Sequence, residues 1–286
     1  MDILKKRNSV EFEVYGKYAL FSDPVTRVGG EKMSYQIPTY QVLKGIMESV
    51  YWKPTIIWYI DKVRVINKIA TQDNEIRPIK MSSWKENDLA YCTYLNDVRY
   101  QVLAHFEFNL NRPELEQDRN ENKHHNIAKR NIEKGGRRDI FLGTHECQGY
   151  VIPCEFGEGE GYYDEYGEIS FGPMFHGFNY PDETGEDKLE TRFWNAKMVD
   201  GVVDFISPVE CTMVKFIRKQ KAKRFTGVRN VTVKKGMTGD MGFTKDNEIA
   251  KNKEMDKNGY LTKVKCVTEN QDCVKIKNFT VIKGDL

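Results

Sequence analysis

The chain has 286 residues, 30% of them charged, with a mean hydropathy of −0.63 and a formal net charge of +2. That length supports one large domain or two modest ones, no apolar run approaches the roughly 18 residues of a membrane span, and the opening MDILKKRNSVEFEV lacks the apolar region of a signal peptide. Six cysteines without regular spacing describe no disulfide framework and read as reduced thiols of a cytoplasmic protein.

Residues Val10–Leu20 alternate well enough (Val10, Phe12 and Val14 against Glu11, Glu13 and Tyr15) to predict a half-buried strand. Pro24 and Gly29-Gly30 then open a basic loop. Thr39 suits a helix N-cap, and Val42, Leu43, Ile46, Met47 and Val50 form the apolar stripe of a core-facing helix that Pro54 ends. Ile56–Ile66 returns as a strand. Tyr91–Leu95 and Val98–Phe108, separated by Asn96-Asp97, predict a hairpin. Arg112–Arg138 is polar and basic, with a short helix expected over His125–Lys134 and stopped by Gly135. Phe141–Cys154 resumes strand character.

The resulting order β-α-β-β-α-β matches a ferredoxin-like fold over residues 1–150, of α+β class. A small antiparallel β-sheet domain is expected over 151–214, from short strands at Glu168–Phe171 and Met174–Phe178 and a hairpin about Asp200-Gly201. Beyond it, residues 215–286 hold 18 Lys+Arg against 8 Asp+Glu, leaving 26 against 34 for residues 1–214. This basic extension, with alternating stretches at Val231–Lys234, Leu261–Thr268 and Val274–Ile282, is β-rich or partly flexible. Its charge suits attraction to nucleic acid and equally suits a solvated lysine-rich tail.

Three side chains stand out chemically. Tyr51 lies at the edge of the first helix's apolar stripe, where its hydroxyl could reach solvent. Lys123 and His124 fall at or just before a helix N-terminus, whose free N–H groups attract phosphate. An acid/base, a cation and N–H donors around one phosphate suffice to cleave RNA without metal, because the ribose 2′-OH is an internal nucleophile. On the residues alone, a tyrosine on a helix edge more often serves packing, and a Lys-His pair in a polar segment is more often just solvated. GEGEG at Gly157–Gly161 is acidic and lacks a Walker lysine, so nucleotide binding there is rejected. His145, Cys147, Cys154 and His176 have no zinc-site spacing. The acidic pairs Asp182-Glu183 and Glu116 with Asp118 lack a metal motif.

Three separated segments, VEFEVYGKYALFSDPVTRVGGEKMSYQIPTYQVLKGIMESVYWKP (Val10–Pro54), NKHHNI (Asn122–Ile127) and GGRRDIFLG (Gly135–Gly143), resemble the CRISPR-associated Cas-five proteins of subtype I-C. The resemblance covers roughly Val10–Val199. It implies a ferredoxin-like domain of the RAMP (repeat-associated) type and a metal-independent endoribonuclease that needs no cofactor. Such an enzyme cuts CRISPR repeat hairpins in precursor crRNA by 2′-OH attack and keeps the 5′ handle within a Cascade-type complex. The partners implied are crRNA and the backbone and large subunits of that complex, with target DNA as a further one. Carried over by position, the family's catalytic trio falls on Tyr51, Lys123 and His124. From their chemistry, RNA contacts are expected at Arg27 and Lys32 of the first loop, Lys53 beside Tyr51, His125, and Gly135, Gly136, Arg137 and Arg138. In that last segment the glycines allow close backbone approach and the arginines suit phosphate; a helix C-cap with surface arginines is its other reading, and both can hold together. His125 departs from the pattern, since family members more often carry an aromatic after the Lys-His pair; a second imidazole there could share the role of His124. The alternative is a non-catalytic crRNA-binding scaffold, with a metal-dependent nuclease as a more distant rival.

Overall fold

In this computed structural model, which describes residues 6–24, 26, 31–80, 82–222, 253–255 and 261–264, the first alternating segment forms strand β1 (Val10–Ala19), with Val10, Phe12 and Val14 buried. A two-residue strand β2 (Lys32–Met33) precedes helix α1 (Tyr40–Val50). Thr39 caps α1 as expected: its hydroxyl oxygen accepts from the Val42 N–H at 3.3 Å, satisfying a donor that the first helical turn leaves unpaired. Leu43, Ile46, Met47 and Val50 are all buried, as their spacing on one face requires. Beyond Pro54 the chain enters β3 (Ile56–Val65).

An excursion of β4 (Thr71–Ile76), β5 (Ile79–Lys80) and β6 (Ser83–Asn87) leads to β7 (Ala90–Phe108). The structure corrects the hairpin expected at Asn96-Asp97, because β7 is one strand of 19 residues running through both. Asp97 adopts φ +49°, yet β1 pairs with β7 in one register from Leu95 to Ala104. Pairing on either side thus overrides the local turn preference. β7 instead pairs antiparallel with β4 over Ala90–Leu95 and with β3 over Tyr100–Phe108.

A 3₁₀ turn at Pro113–Asp118 leads into α2 (Glu121–Glu133). This helix starts four residues ahead of the expected one, capped by Asn120, whose side-chain oxygen accepts from the Lys123 N–H at 3.0 Å. Strands β8 (Ile140–Phe141) and β9 (Gln148–Pro153) follow. Next come β10 (Glu168–Asn179), the short helix α3 (Pro181–Thr184), β11 (Lys188–Val199), β12 (Val202–Asp204) and β13 (Met213–Lys219). The two strands expected at 168–178 are one, with a register shift between Ser170 and Gly172. Asp200 and Gly201 have φ +47° and +76°, the two positive angles of a type I′ hairpin turn.

The architecture is mixed α/β, mostly antiparallel sheet with few helices. Among the described residues the principal sheet has eleven strands in the order β10-β11-β12-β3-β7-β1-β9-β8, with β2 and β4 on β7 and β13 on β11. Because β12 pairs with β3, hydrogen bonding continues across the boundary expected near residue 150. Contacts divide the chain between residues 222 and 223. In the second unit β14 (Lys253–Met255) pairs with β15 (Leu261–Val264). The stretch expected at 261–268 overlaps β15, whereas those at 231–234 and 274–282 lie outside the described residues.

Phe12, Val14, Trp58, Val102 and Phe106 join Leu43, Met47, Ala128 and Ile132 in one core between the sheet and the two longer helices. Alternation sends Arg64 and Gln101 to the other face. There Arg64 donates to the Glu158 and Gly159 carbonyls at 3.2 and 2.8 Å and pairs with Asp164 at 2.6 Å. The acidic glycine cluster is therefore a strap pinned by one buried guanidinium. No helix among the described residues is long and apolar enough to cross a membrane.

Candidate functional site

Tyr51 is the C-cap of α1, where a helix leaves carbonyls without partners. Its backbone is in extended conformation and its N–H donates to the Met47 carbonyl at 2.8 Å. Trp58 Nε1 of β3 donates to the Tyr51 carbonyl at 2.7 Å, and Asn131 Nδ2 of α2 to the Val50 carbonyl at 3.1 Å. Three elements thus fix the tyrosine. The expectation of a solvent-reaching hydroxyl fails: Tyr51 is 3% exposed, because α2 closes over the end of α1.

His124 is the element that covers it. At the fourth position of α2, it is 0% exposed and sits edge-on to Phe106 and Phe108, with ring centroids 6.1 and 6.3 Å away. Tyr51 Oη and His124 Nδ1 are 2.7 Å apart, and His124 Nε2 lies 2.8 Å from the Asp118 carbonyl. A carbonyl can only accept, so Nε2 carries the proton; Nδ1 of the neutral ring is then bare, and Tyr51 donates to it. Burial pushes the Tyr51 hydroxyl up to about 12, with the Asp118 charge adding to the effect and Arg137 opposing it. The phenol is therefore protonated at neutral pH.

Lys123, one residue earlier on α2, points outward with 48% of its side chain exposed and pairs with Asp118 Oδ1. Asp118 Oδ2 accepts from Thr55 Oγ1 at 2.7 Å. Those bonds, from Lys123 first and Thr55 second, hold the Asp118 carboxyl below the usual carboxylate range. Asp118 and Thr55 were not among the residues picked out for this site. The contact that matters most runs through a backbone carbonyl, which no residue type reports.

The other expected contact residues distribute unevenly. Gly135 and Gly136, at φ +79° and +108°, end α2 in a Schellman motif, donating to the Ile132 and Asn131 carbonyls at 2.9 and 2.8 Å. Arg137 and Arg138 follow, both exposed, with Arg137 close enough to act on Tyr51. At the end of the same segment Gly143 (φ +97°) packs so closely that a Cβ would lie 2.0 Å from the Leu20 oxygen. Lys53 is exposed two residues after Tyr51, and Lys32 is exposed on β2. Arg27 lies outside the described residues. His125 turns away from His124, its Nε2 donating to the Ser9 carbonyl at 3.0 Å, as neighbouring helical positions must diverge. His176 belongs elsewhere, stacked on Tyr40 at 4.3 Å between ring centroids.

Residues 9–206 match the family described as CRISPR-associated protein (Cas_Cas5), of Cas5d type. Two proteins named CRISPR pre-crRNA endoribonuclease Cas5d are similar. That of Mannheimia succiniciproducens is 33% identical over 82 residues, 29% of this chain and only 31% of the relative's length. That of Thermus thermophilus is 25% identical over 190 residues, 63% of this chain and 77% of the relative. Among solved structures, a CRISPR-associated protein is 36% identical with a TM-score of 0.62, covering 72% of this chain and 96% of that one. A functionally uncharacterised protein of Streptococcus mutans is 37% identical with a TM-score of 0.61, covering 75% and 100%.

Proposed function

This chain belongs to the CRISPR-associated Cas5d family, and from that premise we propose that it is a metal-independent endoribonuclease that processes precursor crRNA. The observation that carries the reading is the 2.7 Å bond from Tyr51 to His124 Nδ1, beside the half-exposed Lys123. The attacking ribose 2′-OH gives its proton to Tyr51 Oη as Tyr51 gives its own to Nδ1. The O2′–phosphorus bond forms, the bond to O5′ breaks with its electron pair on oxygen, and O5′ takes a proton from water. Lys123 stabilises the charge that builds on the phosphate. The products are a 2′,3′-cyclic phosphate and a 5′-OH. His124 is the base in this scheme, acting through the tyrosine.

Arg137, Arg138 and Lys53 supply exposed cations to hold the repeat hairpin and its 5′ handle. Retention of that handle makes the chain a subunit of a Cascade-type complex, with target DNA nearby. A ferredoxin-like core over residues 10–153 is supported by the spatial order β9-β1-β7-β3 with α1 and α2 as crossovers. The scaffold reading draws on one specific observation, that Tyr51 and His124 are 3% and 0% exposed, so RNA must displace rim side chains before reaching Oη. Cleavage of the cognate repeat hairpin in excess EDTA, wild type against Lys123→Ala and His124→Ala, separates the two. Metal-free cutting with a cyclic-phosphate end that falls about 10²–10⁴-fold in the variants supports the ribonuclease. Tight binding without cutting by wild type refutes it, and a 3′-OH with a 5′-phosphate would point to a metal-activated water.

A further inference from the structure

We propose that Asp118 is the positioning residue of this site, acting through His124 and Lys123 and not on RNA; this deepens the ribonuclease reading and rests on it. Its carbonyl takes the Nε2–H of His124 at 2.8 Å and the Asn120 N–H at 2.9 Å, so both lone pairs are used. That bond selects the single tautomer in which Nδ1 can receive the Tyr51 proton. With the opposite tautomer Nδ1–H would face Tyr51 as a donor, and the relay would have no acceptor.

The side chain keeps the carbonyl in place. Oδ2 is tied to Thr55, which is 1% exposed at the foot of β3, and Oδ1 to Lys123 on α2. Arg119 reinforces the segment from behind, donating to the Asn109 and Arg112 carbonyls at 3.1 and 3.2 Å. When His124 becomes an imidazolium, the Asp118 carboxylate stands 3.6 Å from Nε2 to balance the charge. One residue therefore sets the acceptor, stabilises the charged intermediate and aims the cation.

The test uses the full chain, ¹⁵N-labelled at histidine, as wild type, Asp118→Ala, Asp118→Asn and Thr55→Val. NMR reads the His124 tautomer, and single-turnover cleavage is measured beside RNA affinity. Wild type should show His124 protonated at Nε2 alone. Asp118→Ala should show mixed tautomers and a cleavage step about 10²-fold slower, with RNA affinity within about threefold. Asp118→Asn keeps an oxygen for Thr55 but not the charge, and should retain the tautomer while losing roughly tenfold in rate. Thr55→Val, which cannot touch RNA, should shift tautomer and rate in the same direction as Asp118→Ala. If Asp118→Ala does not fold, the other two variants carry the comparison. A wild-type tautomer in Asp118→Ala or Thr55→Val overturns the proposal, whatever the rate. A tautomer that depends on Asp118 in a wild type that cuts no RNA overturns the ribonuclease reading instead and leaves Asp118 a purely structural anchor.

Discussion

Tyr51→Phe isolates one oxygen. The ring stays in its pocket, so no cavity opens, and what disappears is the 2.7 Å bond to His124 Nδ1. Because His124 is 0% exposed, no water replaces the lost donor, and an unpaired buried acceptor costs about 1–3 kcal/mol. Against a total stability of roughly 5–15 kcal/mol the variant remains folded. The relay, by contrast, loses its middle member, and removal of a general acid/base lowers the rate about 10²–10⁴-fold, or ~2.7–5.4 kcal/mol of barrier. Urea denaturation gives the first quantity, and single-turnover cleavage with enzyme in excess gives the second. If Tyr51 only packed, the rate would follow the folded fraction and stay near that of wild type. A folded Tyr51→Phe that cuts within about threefold of wild type therefore refutes the relay.

His125→Ala should lower the cleavage rate no more than about threefold and cost ~1 kcal/mol in stability for its bond to Ser9; a larger rate loss in the same assay would move the base to His125. Arg137→Ala and Arg138→Ala should each reduce the slope of log affinity against log salt by about one, read by fluorescence anisotropy on the repeat RNA, and unchanged slopes would remove them from the phosphate contacts. Glu48 is raised from 4.5 to about 7 by burial, with Lys44 opposing and the charges of Glu183 and Asp182 adding. The folded state holds that proton more tightly than the unfolded one, so the contribution is complete below pH 4.5 and lost as pH rises toward 7. Glu48→Gln should accordingly gain ~1–2 kcal/mol over wild type at pH 8 and little at pH 4.5, measured by urea midpoints, after discounting for partial exposure.

What was readable in the sequence is what local physics decides. The stripe of α1, its Thr39 cap, the glycine stop of α2 and the Asp200-Gly201 turn all follow from side chains acting on their own few residues. The uninterrupted β7 was not readable, because Asn96-Asp97 looks like a turn until β1 is known to pair on both sides of it. The first turn of α2 was hidden for a different reason, since ENKH has no apolar periodicity and its start depends on a cap three residues before Lys123. Tyr51 and His124 stood out as residue types, yet their burial comes from α2 packing over residues 73 positions away in the chain. No window of sequence contains both.

Strand β3 links two parts of the principal sheet. One side of it is bonded to β12 and the other to β7, while Trp58 near its start holds the Tyr51 carbonyl. Mechanically, β3 is a beam loaded from both edges. The strands β10 to β12 and the seat of Tyr51 are thereby joined through a single ribbon of backbone.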